Sequence, residues 1–152
     1  MKRFAAHTMR VARRTARLIA ACAIVLAPLA FAATSQATSA LAGPIWKWRS
    51  TNGRDGDRLV VADPSQYTLR FDGGGMLRVR ADCNGGRGRY DAAADRSLAL
   101  LDIATTKKGC GRGSQDRRFL ADLREVVGYR VEGDALLLAL RSGGTMRFSS
   151  ID

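Results

Sequence analysis

Residues 67–90 read Tyr-Thr-Leu-Arg-Phe-Asp-Gly-Gly-Gly-Met-Leu-Arg-Val-Arg-Ala-Asp-Cys-Asn-Gly-Gly-Arg-Gly-Arg-Tyr. Tyr67, Leu69 and Phe71 alternate with Thr68 and Arg70, which puts the apolar side chains on one face of an extended chain. After Asp72 and three glycines, Leu77, Val79 and Ala81 again share a face, with Arg78, Arg80 and Asp82 on the other. Two runs of period two joined by a glycine-rich turn form a hairpin with one wet side. In 83–90 the glycines predict a bulge or a turn of positive φ, with Tyr90 returning to a strand.

The same pattern extends in both directions. Ile45, Trp46 and Trp48 open the domain, and 58–62 (Arg-Leu-Val-Val-Ala) is a short strand stopped by Asp63-Pro64. Residues 97–103 form a further strand, followed by a loop over 105–113. The helical spacing lies in 114–127: Phe119, Leu120, Leu123, Val126 and Val127 share one face, Ser114 is placed as N-cap, Asp116 favours the first turn, and Gly128 ends the element. Strands over 129–132, 135–140 and 145–149 follow, separated by Gly133-Asp134 and Ser142-Gly143-Gly144. About seven or eight short strands and one α-helix predict an α+β fold, a curled antiparallel sheet (a cracked β-barrel) packed on that helix.

The beginning of the chain is of another kind. Lys2, Arg3, Arg10, Arg13, Arg14 and Arg17 precede an apolar run over 18–33, and small residues follow to Ala42. A basic head, an apolar middle and a small-residue tail define a signal peptide. The run is shorter than the about 20 residues of a membrane span and contains Pro28. Two positions fit cleavage, after Ala37 and after Ala42, and the second is the expected one. That divides the chain into a leader at 1–42 and a single domain at 43–152, which is periplasmic or secreted. Met9 offers a second start, and Arg13-Arg14 offers the twin-arginine route beside the general one. Cys22 formally resembles a lipidated cysteine. Arg17 stands too close in front of it, and it reads as a small hydrophobe of the apolar run.

The leader distorts the composition. The chain carries 25 basic and 14 acidic side chains, net +11. Six of the basic residues lie in the leader, which leaves 19 against 14, or +5, for the domain. A surplus of that size suits an anionic envelope component better than nucleic acid. The only histidine, His7, leaves with the leader, so histidine-based nucleophile, acid–base and metal chemistry are closed to the mature chain. Of three cysteines two remain, Cys83 and Cys110, and in an oxidising compartment an even count reads as a disulfide. A metal pair is the competing reading, but two thiols without histidine make a poor site.

The order of motifs resembles the META domain, the family of the bacterial heat-shock protein HslJ. Trp46-Lys47-Trp48 opens the match, the Cys-Asn-x-x-x-Gly-x-Tyr signature falls at Cys83, Asn84, Gly88 and Tyr90, and the later Thr-x-x-x-Cys element falls at Thr106 and Cys110. Phe119, Leu120 and Leu123 match the helix, and 133–136 with Phe148 match the closing hairpin. One position departs: Lys108 stands where the family commonly has Met. The resemblance implies a cracked antiparallel barrel around a helix, similar to secretion pilot proteins that bind lipid. It also implies envelope and stress roles, and no catalytic residues or cofactors.

Asn84, Gly88 and Tyr90 are accordingly expected to serve turns and packing, and Thr106 stands with them as a family-motif residue. Lys107, Lys108, Arg112, Arg117 and Arg118 form a basic cluster between the second cysteine and the helix, either a solvated face or a patch for an anionic partner. Glycines at 109–113 lack phosphate-loop spacing, and Asp55-Gly56-Asp57 is too short for a calcium loop. The expected function is that of a non-catalytic, monomeric envelope domain that binds a partner protein or acts under stress. The alternative is a carrier holding a lipid or other apolar ligand between helix and sheet. A carboxylate hydrolase using Asp82, Asp91, Asp102 or Glu125 has no favoured pair.

Overall fold

The computed structural model describes residues 40–151. The leader lies outside them apart from its last three residues, and so do His7, Cys22 and the arginine pair. The strands are β1 (Ile45–Asn52), β2 (Arg58–Val60), β3 (Tyr67–Asp72), β4 (Met76–Ala81), β5 (Asn84–Ala92), β6 (Leu98–Thr105), β7 (Val126–Glu132), β8 (Ala135–Leu140) and β9 (Thr145–Ile151). The helix α1 spans Asp116–Arg124.

Eight strands run in the order β6-β5-β4-β3-β1-β9-β8-β7, each antiparallel to its neighbours, while β2 pairs antiparallel with β1 to one side. The two ends of this curled sheet meet at one bridge, Ser97 with Gly128, next to a hydrogen bond from Tyr129 N–H to Arg96 O (3.0 Å). A seam closed at one point and open elsewhere is what makes the barrel a cracked one.

The hairpin of 67–81 has the expected register, Tyr67 opposite Ala81 and Asp72 opposite Met76, and its inward residues are buried in both strands. Its turn depends on glycine, since Gly74 and Gly75 have φ of 77° and 80°. The next segment behaves differently from expectation. The reversal after β4 is made by Asp82, at φ 57°, and all the glycines of 84–90 lie within β5. The expected bulge is present, as a register shift between Arg87 and Arg89.

The helix is shorter than its apolar spacing predicts. Gln115 stands at its N-cap, with Ser114 Oγ accepting from Asp116 N–H, and it closes at Glu125. Val126 and Val127 begin β7, where β-branched side chains are favoured, and Gly128 is a strand residue opposite Ala139. Val127 is therefore exposed rather than part of the helix face. The face that remains is Phe119 and Leu123, both without solvent exposure. The Phe119 ring lies 5.0 Å from that of Trp48, 5.6 Å from Tyr67 and 6.3 Å from Phe148. Offset and edge-on aromatic contacts of this kind add to area burial, and they fill the space between helix and sheet.

A polar chain ties α1 to β1 inside this core. The Trp48 indole N–H donates to Thr51 Oγ1 (3.1 Å), Thr51 donates to Asp122 Oδ2 (3.0 Å), and Arg118 Nε donates to Asp122 Oδ1 (2.8 Å). Thr51 and Asp122 are buried, and both carboxylate oxygens of Asp122 are satisfied, as a buried charge requires.

Candidate functional site

The signature cysteine and asparagine follow directly on the Asp82 reversal, at the mouth of β5. Asn84 is buried, 3% exposed, beneath the loop of 105–113. Its Oδ1 accepts from Thr106 Oγ1 (2.8 Å) and from Lys108 N–H (2.8 Å), and its Nδ2 donates to Lys108 O (3.1 Å). One amide side chain thus satisfies both main-chain groups of Lys108 and the threonine hydroxyl, as a backbone partner would. Cys83 and Cys110 are joined in a disulfide with Cα atoms 5.7 Å apart, and it crosses the same loop beside Asn84. Lys108 enters this arrangement through its main chain, so its side chain is free to differ from the family's usual residue.

Between this pinned loop and α1 lies an open groove of about 640 Å³. Lys107, Lys108 and Arg117 line it together with Arg124 from the last turn of the helix, and Asp116 and Leu120 are also part of its wall. Among the described residues none of these four cations forms a salt bridge. The other two members of the predicted cluster are elsewhere. Arg118 is engaged with Asp122, and Arg112 lines a separate depression with Asp63 and Asp82. The basic patch is therefore a groove of four cations, three of them expected and Arg124 not. A helix places residues seven apart on one side, so Arg117 predicts Arg124 once the groove is known.

The family model of the META domain matches residues 39–152. The chain belongs to the META domain family. Solved structures that share its fold include the NMR structure of a protein from Burkholderia xenovorans (TM-score 0.62, 23% identity, covering 75% of this chain and 86% of that one) and the crystal structure of a DUF4847 family protein from Bacteroides vulgatus (TM-score 0.53, 18% identity, covering 72% and 93%). No curated protein matches the chain.

The remaining META signature residues each have a structural duty here. Gly88 is buried in β5 where a Cβ would sit 2.7 Å from Leu101 O, so the close approach of β6 admits no side chain. Tyr90 lies edge-on to Phe71, ring centroids 5.0 Å apart, and its hydroxyl donates to Asp72 O (3.0 Å). Its hydroxyl pKa is raised, first by burial and then by the nearby Asp72 carboxylate. Asp72 is held below the usual carboxylate range, chiefly by the hydrogen bond from Arg78 Nε (2.6 Å), with Arg70 adding to it. The carboxylates considered for hydrolysis have other partners or none: Asp102, at φ 52°, pairs with Arg89 across β5 and β6. Asp63 caps a short 3-10 turn through Ser65 and Gln66, and those hydrogen bonds lower its pKa.

Among the described residues no helix is long and apolar enough to cross a membrane, and no three His, Cys, Asp or Glu side chains gather as a metal site. Sequence reasoning had no way to reach the Trp48–Thr51–Asp122–Arg118 chain. Its bonded partners Thr51 and Asp122 are 71 residues apart, and an aspartate in a helix reads as solvated.

Proposed function

We propose that the mature chain is a non-catalytic META domain of the bacterial envelope, and that it holds an anionic partner protein in the groove between the disulfide loop and α1. The observation that carries this reading is the groove itself. Four cations, Lys107, Lys108, Arg117 and Arg124, line one concave surface whose loop wall is pinned by Asn84 and the disulfide. A fixed array of one charge sign raises the local concentration of an opposite partner and orients it. Export is supported by the leader pattern and by the disulfide, a bond suited to an oxidising compartment.

The filled interior supports partner binding over the carrier reading. Trp48, Phe119, Phe148, Leu123 and Met146 each have under 2% exposure and occupy the space a lipid chain would need. The test is capture from a bacterial envelope extract with the wild-type domain and with Lys107→Glu/Arg117→Glu. Proteins retained by the first and lost with the second are expected. Equal recovery by both, or recovery of none, refutes the groove as a binding site.

A further inference from the structure

Two small-residue pairs in the leader fit a signal peptidase, Ser35 with Ala37 and Ala40 with Ala42, and the sequence pattern alone points to the second. The fold distinguishes them. Leu41 stands ahead of β1, yet it has no solvent exposure and belongs to the same core as Phe71 and Leu77. Its carbonyl accepts the buried indole N–H of Trp46 at 3.0 Å. Ala42 forms a parallel bridge to Phe71, and Gly43 N–H donates to Phe71 O at 3.1 Å. Residues 41–43 are thus a built part of the domain, laid along β3.

We infer that the leader is removed before this segment, by hydrolysis of the Ala37–Thr38 bond. Water supplies the hydroxyl of the new Ala37 carboxylate and the proton on the new Thr38 amine. The inference rests on the export reading above. A cut after Ala42 removes a side chain from the core, leaves a void where it stood, and strips the Trp46 indole of its acceptor. A cut after Ala37 keeps both the Leu41 side chain and its carbonyl, and the new charged terminus falls ahead of Ala40, which is exposed.

The test expresses the full chain from Met1 in a bacterial host, recovers it from the periplasmic fraction, and reads its terminus by N-terminal sequencing and intact mass. A chain beginning at Thr38 is expected. A chain beginning at Gly43, or at any other residue, overturns the cleavage assignment while leaving export standing. An uncleaved chain confined to the cytoplasm overturns both. Direct comparison of chains beginning at Thr38 and at Gly43 gives a second readout. The shorter one should melt lower by roughly 10 °C or more, and equal melting temperatures contradict the inference.

Discussion

Replacing Asn84 by alanine tests whether the signature asparagine is structural. The side chain makes four hydrogen bonds to the 105–110 loop, two through Oδ1 at 2.8 Å and two through Nδ2, to Lys108 O at 3.1 Å and to Cys110 Sγ at 3.3 Å. Each such bond is worth a net ~0.5–1.5 kcal/mol, and a buried group left without its partner costs more than a solvated one. Lys108 and Thr106 are at the surface, so water can replace part of what they lose, and the expected cost is about 2–4 kcal/mol. Urea unfolding of the oxidised wild type and of Asn84→Ala, with slopes compared, gives this number. Amide exchange gives its location: Lys108 N–H, bonded to Oδ1, should lose protection, while amides of β8 away from the loop keep theirs. A loss below ~1 kcal/mol with Lys108 still protected would mean that the disulfide alone holds the loop.

Three further outcomes follow from the same geometry. Reduction of the Cys83–Cys110 bond, which closes a loop of sequence separation 27, should lower the melting temperature by roughly 10–15 °C, from ~3–4 kcal/mol of chain entropy; an unchanged melting point with free thiols confirmed contradicts the staple. Gly88→Ala brings a methyl within 2.7 Å of Leu101 O and should cost about 1–3 kcal/mol by urea titration, and a neutral result would mean that β5 and β6 separate easily. Tyr90 has its pKa raised in the folded state, so its contribution is fully present below pH ~10 and is lost as pH rises through the folded value. Melting curves from pH 8 to 12 should therefore show an alkaline decline that is shallower in Tyr90→Phe, and identical slopes would refute that assignment.

How much of this was legible follows from the range of each interaction. The 67–81 hairpin was readable because period two and three adjacent glycines are local signals, and register follows once one face must be buried. The disulfide was readable by counting. The helix boundaries were not, because Val126 and Val127 keep the helical spacing while β8 draws the segment into the sheet, with Val126 opposite Leu140 and Val127 at the register shift before Gly128. Tertiary pairing there overrides a periodicity that either structure could use. The signature residues could be recognised, but not their work, since Asn84 meets its partners 22 and 24 residues later. Likewise the basic cluster was visible as a run of charge. Its division into a groove, a helix pair with Asp122 and a separate depression depends on side-chain direction.

In the proposed function a packed META domain presents its binding surface on the outside, at the four-cation groove. Amide chemical-shift mapping of the oxidised domain tests this, with an acidic hexapeptide as one probe and a fatty acid as the other. Salt-sensitive shifts confined to 106–117 and Arg124 are expected with the peptide, absent in Lys107→Glu/Arg117→Glu, and none at Phe119, Leu123 or Phe148 with the fatty acid. Shifts centred on those core residues with the fatty acid, and a groove silent to the acidic peptide, would contradict it.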